Sequence, residues 1–201
     1  MPDLTIIAGC NGAGKSTYAL SFLPDGQISF DYDKVFLTYY RALPDSELRD
    51  TIAKNKTTDD FESAIKHALD HNFDFCYETN FDAHPIHWTE KFKKLGYSLN
   101  LVFFCLENQE IAKHRVEIRV EFDEHFVDDE TINFKWREGY KNLNTYYSFF
   151  DKILIVDNSA NNESYKNLVQ IENGKSVLMT DKLPPYFSKR LPGIFKLISI
   201  T

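Results

Sequence analysis

The chain has 201 residues, 43% of them hydrophobic, and a formal net charge of −7. That length suffices for one domain with its own core, and the acidic balance argues against nucleic acid as a partner, because a phosphate backbone needs a basic surface. No apolar run approaches the ~20 residues of a membrane helix and no basic stretch leads into an apolar one at the start, so a soluble, cytoplasmic chain without a membrane partner is expected.

Residues 4–8 form a short apolar run that ends at a glycine, as a buried parallel strand does. Residues 15–22 read as a helix, closed by the turn Pro24-Asp25-Gly26. Residues 27–32 are expected to be a second strand, and 33–43 a helix that Pro44 interrupts. Thr57 and Asp60 stand at capping-box spacing. Phe61, Ala64, Ile65 and Ala68 then follow at one-face helical spacing, so a helix is predicted to start near Thr57. A third strand is predicted over 73–78 and a helix over 84–95, with Gly96 as its stop. Residues 99–106 are the most apolar strand. Helices follow over 108–121 and 132–150, and a fifth strand over 153–156.

Strand and helix alternate through residue 157. That order predicts an α/β fold of the P-loop nucleoside triphosphate hydrolase type: a five-stranded parallel sheet with helices on both faces. The tail differs. Residues 168–171 and 176–179 flank Asn173-Gly174, a hairpin signal. The expected organisation is a core over 1–159, with a C-terminal hairpin and tail over 160–201 packed on the same domain. The three cysteines, Cys10, Cys76 and Cys105, match no metal spacing and read as reduced thiols, the last two in the core.

The strongest chemical signal is Gly9-Cys10-Asn11-Gly12-Ala13-Gly14-Lys15-Ser16, which matches G-x-x-x-x-G-K-S throughout. Its glycines let backbone N–H groups turn toward phosphate oxygens, and the following helix contributes its N-terminal end. Lys15 carries a charge to the β- and γ-phosphates, Ser16 offers its hydroxyl to Mg²⁺, and Thr17 reaches the α-phosphate. ATP with Mg²⁺ is therefore the expected ligand. No N-K-x-D for guanine is present, and no strand ends in the Asp-Glu pair of an ATPase motor.

Two carboxylates, Asp33 and Glu78, are expected beyond strand ends, where open α/β sheets bind ligands. One can take a proton from an attacking hydroxyl while the other organises Mg²⁺ and its water. The structural alternatives are a helix cap for Asp33 and a solvated strand end for Glu78. Arg115 and Arg119 share a helix face and can neutralise triphosphate charge, or else pair with Glu117 and Glu121.

In the order they occur, these residues resemble the zeta-toxin-like P-loop kinases, whose founding toxin phosphorylates a UDP-activated N-acetylamino sugar. The similarity runs over about residues 4–159. Ile6 to Thr17 looks like that family's phosphate loop. Phe30-Asp31-Tyr32-Asp33 resembles the motif whose last aspartate is the proposed base, which carries that role to Asp33 with Asp31 as neighbour. Glu78-Thr79-Asn80 resembles the segment near the acceptor. Arg115-Val116 and Arg119-Val120 look like the repeated Arg-Val before the lid, His125 stands at the lid histidine, and Asp157-Asn158-Ser159 resembles the end of the fifth strand. Two lid glycines are Asp123 and Glu124 here, and the usual proline is Asp128. The paired arginines of the next helix correspond to Phe134 and Lys135, so Lys135 or Arg137 can replace a lid cation.

The resemblance implies a UDP-N-acetylglucosamine kinase-like transfer from ATP to a hydroxyl, and a small helical antitoxin as partner. Two alternatives stand beside it. One is the same reaction on a nucleoside, an antibiotic or a polynucleotide end. The other is a regulator that binds ATP without turnover, which the acidic lid favours.

Overall fold

The structure is a computed structural model that describes residues 1–120, 127–160 and 164–200, except for the side chains of Arg119, Val120 and Ile200. The elements begin with β1 (Asp3–Ala8), α1 (Lys15–Tyr18), α2 (Tyr32–Ala42), α3 (Arg49–His71) and β2 (Phe75–Thr79). They continue with α4 (His87–Lys94), β3 (Ser98–Cys105), α5 (Gln109–Val120), α6 (Asp129–Tyr146) and β4 (Lys152–Asp157). The chain closes with β5 (Lys166–Glu172), β6 (Lys175–Leu178), α7 (Phe187–Arg190) and α8 (Pro192–Ile200).

The sheet has six strands in the order β2-β1-β3-β4-β5-β6. The first four are parallel; β5 pairs antiparallel with β4, and β6 with β5. β1 lies between β2 and β3, and Leu4, Ile6, Ile7 and Ala8 are fully buried, as a strand covered on both faces requires. The five-stranded parallel expectation is thus corrected to a mixed sheet with four parallel strands. The expected hairpin is present, but it extends the main sheet. Asn173 and Gly174 both have positive φ, 50° and 76°, the conformation of a two-residue type I′ turn.

The missing parallel strand is the one predicted over 27–32. Only Phe30 pairs there, through a single bridge to Tyr77. The turn before it and the helix after it leave no length for more. Asp31 caps α2 by accepting from the Lys34 amide at 3.1 Å.

Helix α3 runs for 23 residues and does not begin at Thr57. Thr57 lies on its buried face and turns its hydroxyl back to the Ala53 carbonyl, 2.8 Å away, so it needs no cap role. The helix predicted over 15–22 is one α-turn followed by a 3₁₀ turn over Ala19–Phe22. The tail reaches the common core: Phe187, Leu191 and Ile194 are fully buried with the strand residues. No helix among the described residues is long and apolar enough to cross a membrane.

Candidate functional site

The phosphate loop joins β1 to α1 at the carboxyl ends of the parallel strands. Its three glycines have φ of 145°, 76° and 95° at Gly9, Gly12 and Gly14, a region open to glycine but costly to other residues. Close packing excludes side chains as well. A Cβ on Gly9 would lie 2.8 Å from the Phe104 carbonyl oxygen, and one on Gly12 would lie 2.6 Å from that of Ala112. The loop is therefore seated on the end of β3 and on α5.

Lys15 is half-buried. Its ammonium donates to the carbonyls of Gly9 at 2.8 Å and Cys10 at 3.2 Å, and to Asn80 Oδ1 at 3.2 Å. Burial pushes its pKa down, against the opposing pull of Asp33, Cys10, Glu78 and Asp31. Cys10, within the loop, is buried, which raises its thiol to about 11 and keeps it neutral.

Two carboxylates meet at Ser16. Its hydroxyl lies 2.6 Å from Glu78 Oε2 and 2.8 Å from Asp31 Oδ2. Glu78 is the penultimate residue of β2, is 9% exposed, and accepts a second bond from Ser29 at 2.8 Å. Burial raises its pKa; the Ser16 bond opposes this, and the neighbouring charge of Asp31 adds to it. A hydroxyl and two carboxylates form an all-oxygen donor set of the kind that suits Mg²⁺ with phosphate oxygens. The described residues contain no group of three or more His, Cys, Asp or Glu side chains placed to hold a metal alone.

A cleft of about 920 Å³ opens from the loop. Asn11, Gly12, Gly14, Lys15, Ser16 and Thr17 line its floor, with Asp31, Asp33, Glu78, Thr79 and Asn80 beside them. The structure thus brings together the loop, both carboxylates and the segment after β2. Asp33 sits in the first turn of α2 and is exposed; the cap is Asp31.

The far end of the cleft is aromatic. Phe61 of α3 lies at the centre, its ring 5.5 Å from Tyr77, 5.9 Å from Trp88 and 6.4 Å from Tyr32. All four line the cleft, with Leu37 and Arg41 of α2. The sequence pattern placed Phe61 on one face of a helix and did not single out Tyr77 or Trp88; their spacing carries no signal, because three separate elements deliver them. The loop after β2 is held in place: Asn142 donates to the carbonyls of Phe81 at 2.9 Å and Asp82 at 2.6 Å. Phe81, with φ of 60°, is fully buried.

Arg115 does not line the cleft. Its guanidinium donates to the carbonyls of Asn158 at 2.8 Å, Ala160 at 3.1 Å and Gly12 at 3.4 Å, behind the loop. His125 and the side chain of Arg119 lie outside the described residues. Of the two candidate replacement cations, Lys135 lines the cleft, whereas Arg137 pairs with its neighbour Glu138 on the surface.

The Zeta toxin family model matches residues 1–170. No curated protein matches the chain. Among solved structures, the PezAT chromosomal toxin-antitoxin system of the human pathogen Streptococcus pneumoniae is similar, at 15% identity and a TM-score of 0.63, over 100% of this chain and 87% of that one. So is AvrRxo1-ORF1:AvrRxo1-ORF2 with sulphate ions, at 12% identity and a TM-score of 0.68, over 89% of this chain. The same complex with ATP gives 11% and 0.68, again over 89% of this chain. This chain spans only 61% and 60% of those two chains. At such identities the likeness establishes a shared fold.

Proposed function

Because the chain belongs to the Zeta toxin family, we propose that it is an ATP-dependent kinase that transfers the γ-phosphoryl group to a hydroxyl of a small molecule. One observation carries this reading: Asp31 and Glu78 converge on Ser16 at the end of a complete phosphate loop, and Asp33 faces the same cleft. The similar fold in the structure of AvrRxo1-ORF1:-ORF2 with ATP supports a nucleotide here.

In this reading ATP lies along Gly9 to Thr17, with loop N–H groups and Lys15 on its phosphates. Lys15 reaches them by leaving the carbonyls of Gly9 and Cys10. Ser16, Asp31 and Glu78 would hold Mg²⁺, which supplies charge neutralisation on the phosphate oxygens. The acceptor binds against Phe61, Tyr77 and Trp88, with Asp31, Thr79 and Asn80 beside its reacting end. Its hydroxyl oxygen bonds to the γ-phosphorus, the bond to the β-phosphate oxygen breaks, and ADP leaves. Asp33 takes the hydroxyl proton.

Arg119 and His125 stay assigned to the triphosphate side, while Arg115 contributes through the backbone it holds. A UDP-N-acetylamino sugar is the proposed acceptor, on the family resemblance. A small helical antitoxin is the proposed partner, supported by the toxin-antitoxin assembly of the PezAT relative. The test is labelled ATP offered with UDP-N-acetylglucosamine, nucleosides, aminoglycosides and polynucleotide ends. Label on the sugar nucleotide supports the reading; label on another acceptor moves the substrate class. ATP binding without transfer to any acceptor overturns the kinase reading.

A further inference from the structure

The phosphate loop has a support that its own sequence does not contain. Asn158, just past the end of β4, donates from Nδ2 to the Ala13 carbonyl at 2.9 Å, across 145 residues of chain. Asn158 is itself held at both ends of its backbone. Its amide donates to the Cys105 carbonyl at 3.1 Å, and its carbonyl accepts from Arg115 at 2.8 Å. It is 6% exposed. The contact leaves no slack, since a Cβ on Gly14 would lie 2.3 Å from Asn158 Nδ2.

A trans peptide unit is planar, with its C=O and N–H pointing in opposite directions. Fixing the Ala13 carbonyl toward Asn158 therefore aims the Gly14 N–H the other way. Gly14 lines the cleft. The preceding unit is fixed differently: the Ala13 amide closes a turn onto the Cys10 carbonyl at 3.1 Å, and Arg115 approaches the Gly12 carbonyl at 3.4 Å.

We infer that Asn158 is a positioning residue for phosphate recognition: with Arg115 as its anchor, it turns the Ala13–Gly14 peptide so that the Gly14 N–H meets a phosphate oxygen. The inference rests on the phosphate-loop reading and adds a residue to it. It also gives Arg115 a task that needs no contact with the triphosphate. Loop N–H groups of this kind cradle the α- and β-phosphates. ATP and ADP should therefore feel the loss of Asn158 alike, whereas a γ-phosphate contact would favour ATP alone.

The test is Asn158→Ala in the full chain, with Mg-ATP and Mg-ADP titrated by calorimetry and Tm measured alongside. Both Kd values should rise together, by about tenfold. A fall in Tm with both affinities at the parent value would mean a structural bond only and overturns the inference. A double-mutant cycle with Gly14→Ala supplies an independent reading: the Gly14 change should cost less affinity once Asn158 is gone, because the 2.3 Å collision is removed. Additive effects overturn the inference.

Should Asn158→Ala fail to fold, the unaltered protein decides. Its Gly14 amide proton should move downfield on titration with Mg-ADP, and an unmoved Gly14 resonance in a protein that binds ADP overturns the inference. Failure of the unaltered protein to bind either nucleotide overturns the phosphate-loop reading itself, and this inference with it.

Discussion

The two ends of the cleft are made of different material. At the phosphate end the working surface is backbone, and distant elements hold it: Phe104 and Ala112 crowd its glycines, and Asn158 and Arg115 bind its carbonyls. At the aromatic end, the proposed acceptor site, the surface is side chain. Phe61, Tyr77 and Trp88 meet edge to face, and α2 supplies Leu37 and Arg41. Backbone recognition suits a ligand common to many enzymes, because N–H groups read charge and geometry but no ring. A side-chain wall can be altered residue by residue without disturbing the other end. On the proposed reading, nucleotide use and acceptor choice are physically separable.

The sharpest way to break that separation is at its midpoint. Asp33→Asn keeps the shape of the side chain and leaves the α2 cap intact, because the cap is Asp31. Transfer should fall by ~10²–10⁴-fold with ATP affinity unchanged. A variant that transfers phosphate at the parent rate removes Asp33 from the proton path. Next in size is Lys15→Ala. Charge-assisted bonds to phosphate are each worth about 1.5–3 kcal/mol, so Kd for ATP should rise by roughly 10- to 100-fold. Calorimetry showing parent affinity would undo the phosphate-end assignment.

A pH series sharpens the same end. Burial outweighs the Ser16 bond and raises the pKa of Glu78. As pH falls through that raised value Glu78 gains a proton and loses the charge that holds a cation. The acid limb of Mg-ATP binding should then lie above the range of an ordinary glutamate, and Glu78→Gln should abolish it. The sign for stability is opposite. A raised carboxylate pKa means that the folded state binds more protons, so stability declines as pH rises from the unfolded glutamate value through the folded one. Glu78→Gln should accordingly raise Tm at neutral pH; a lowered Tm would show that the Ser16 and Ser29 bonds outweigh burial. The smallest expected effect lies at the aromatic end. Trp88→Ala should raise the acceptor KM by about 3- to 10-fold and leave Kd for ATP alone. Equal losses on both ligands would mean that the two ends are coupled.

Much of this was legible along the chain, for identifiable reasons. Gly9 to Ser16 is contiguous, so a one-dimensional reading captures the whole loop. Asn173-Gly174 announced its turn through backbone preference alone. The strand over 27–32 misled because β-favouring residues there meet a cap, Asp31, that starts a helix before pairing can spread. The capping-box pattern at Thr57 misled because a threonine hydroxyl also satisfies itself inside a helix. Arg115 read as a cation for phosphate, and the carbonyls of Gly12, Asn158 and Ala160 that it meets among the described residues show where the guanidinium goes. Asn158 carried a resemblance without a task. The aromatic wall was illegible for a plainer reason: an aromatic residue facing a cleft and one facing a core have the same periodicity.

The bond between Asn158 and Ala13 also imposes an order in time. The phosphate loop is synthesised ahead of its brace, which follows 145 residues later. At ordinary elongation rates that interval is roughly 7–30 s. A nascent chain halted before Asn158 carries the entire glycine motif and lacks the contact that fixes the Ala13 carbonyl. Loop maturation is thereby tied to completion of the parallel sheet, since β4 must dock on β3 before Asn158 can reach the loop.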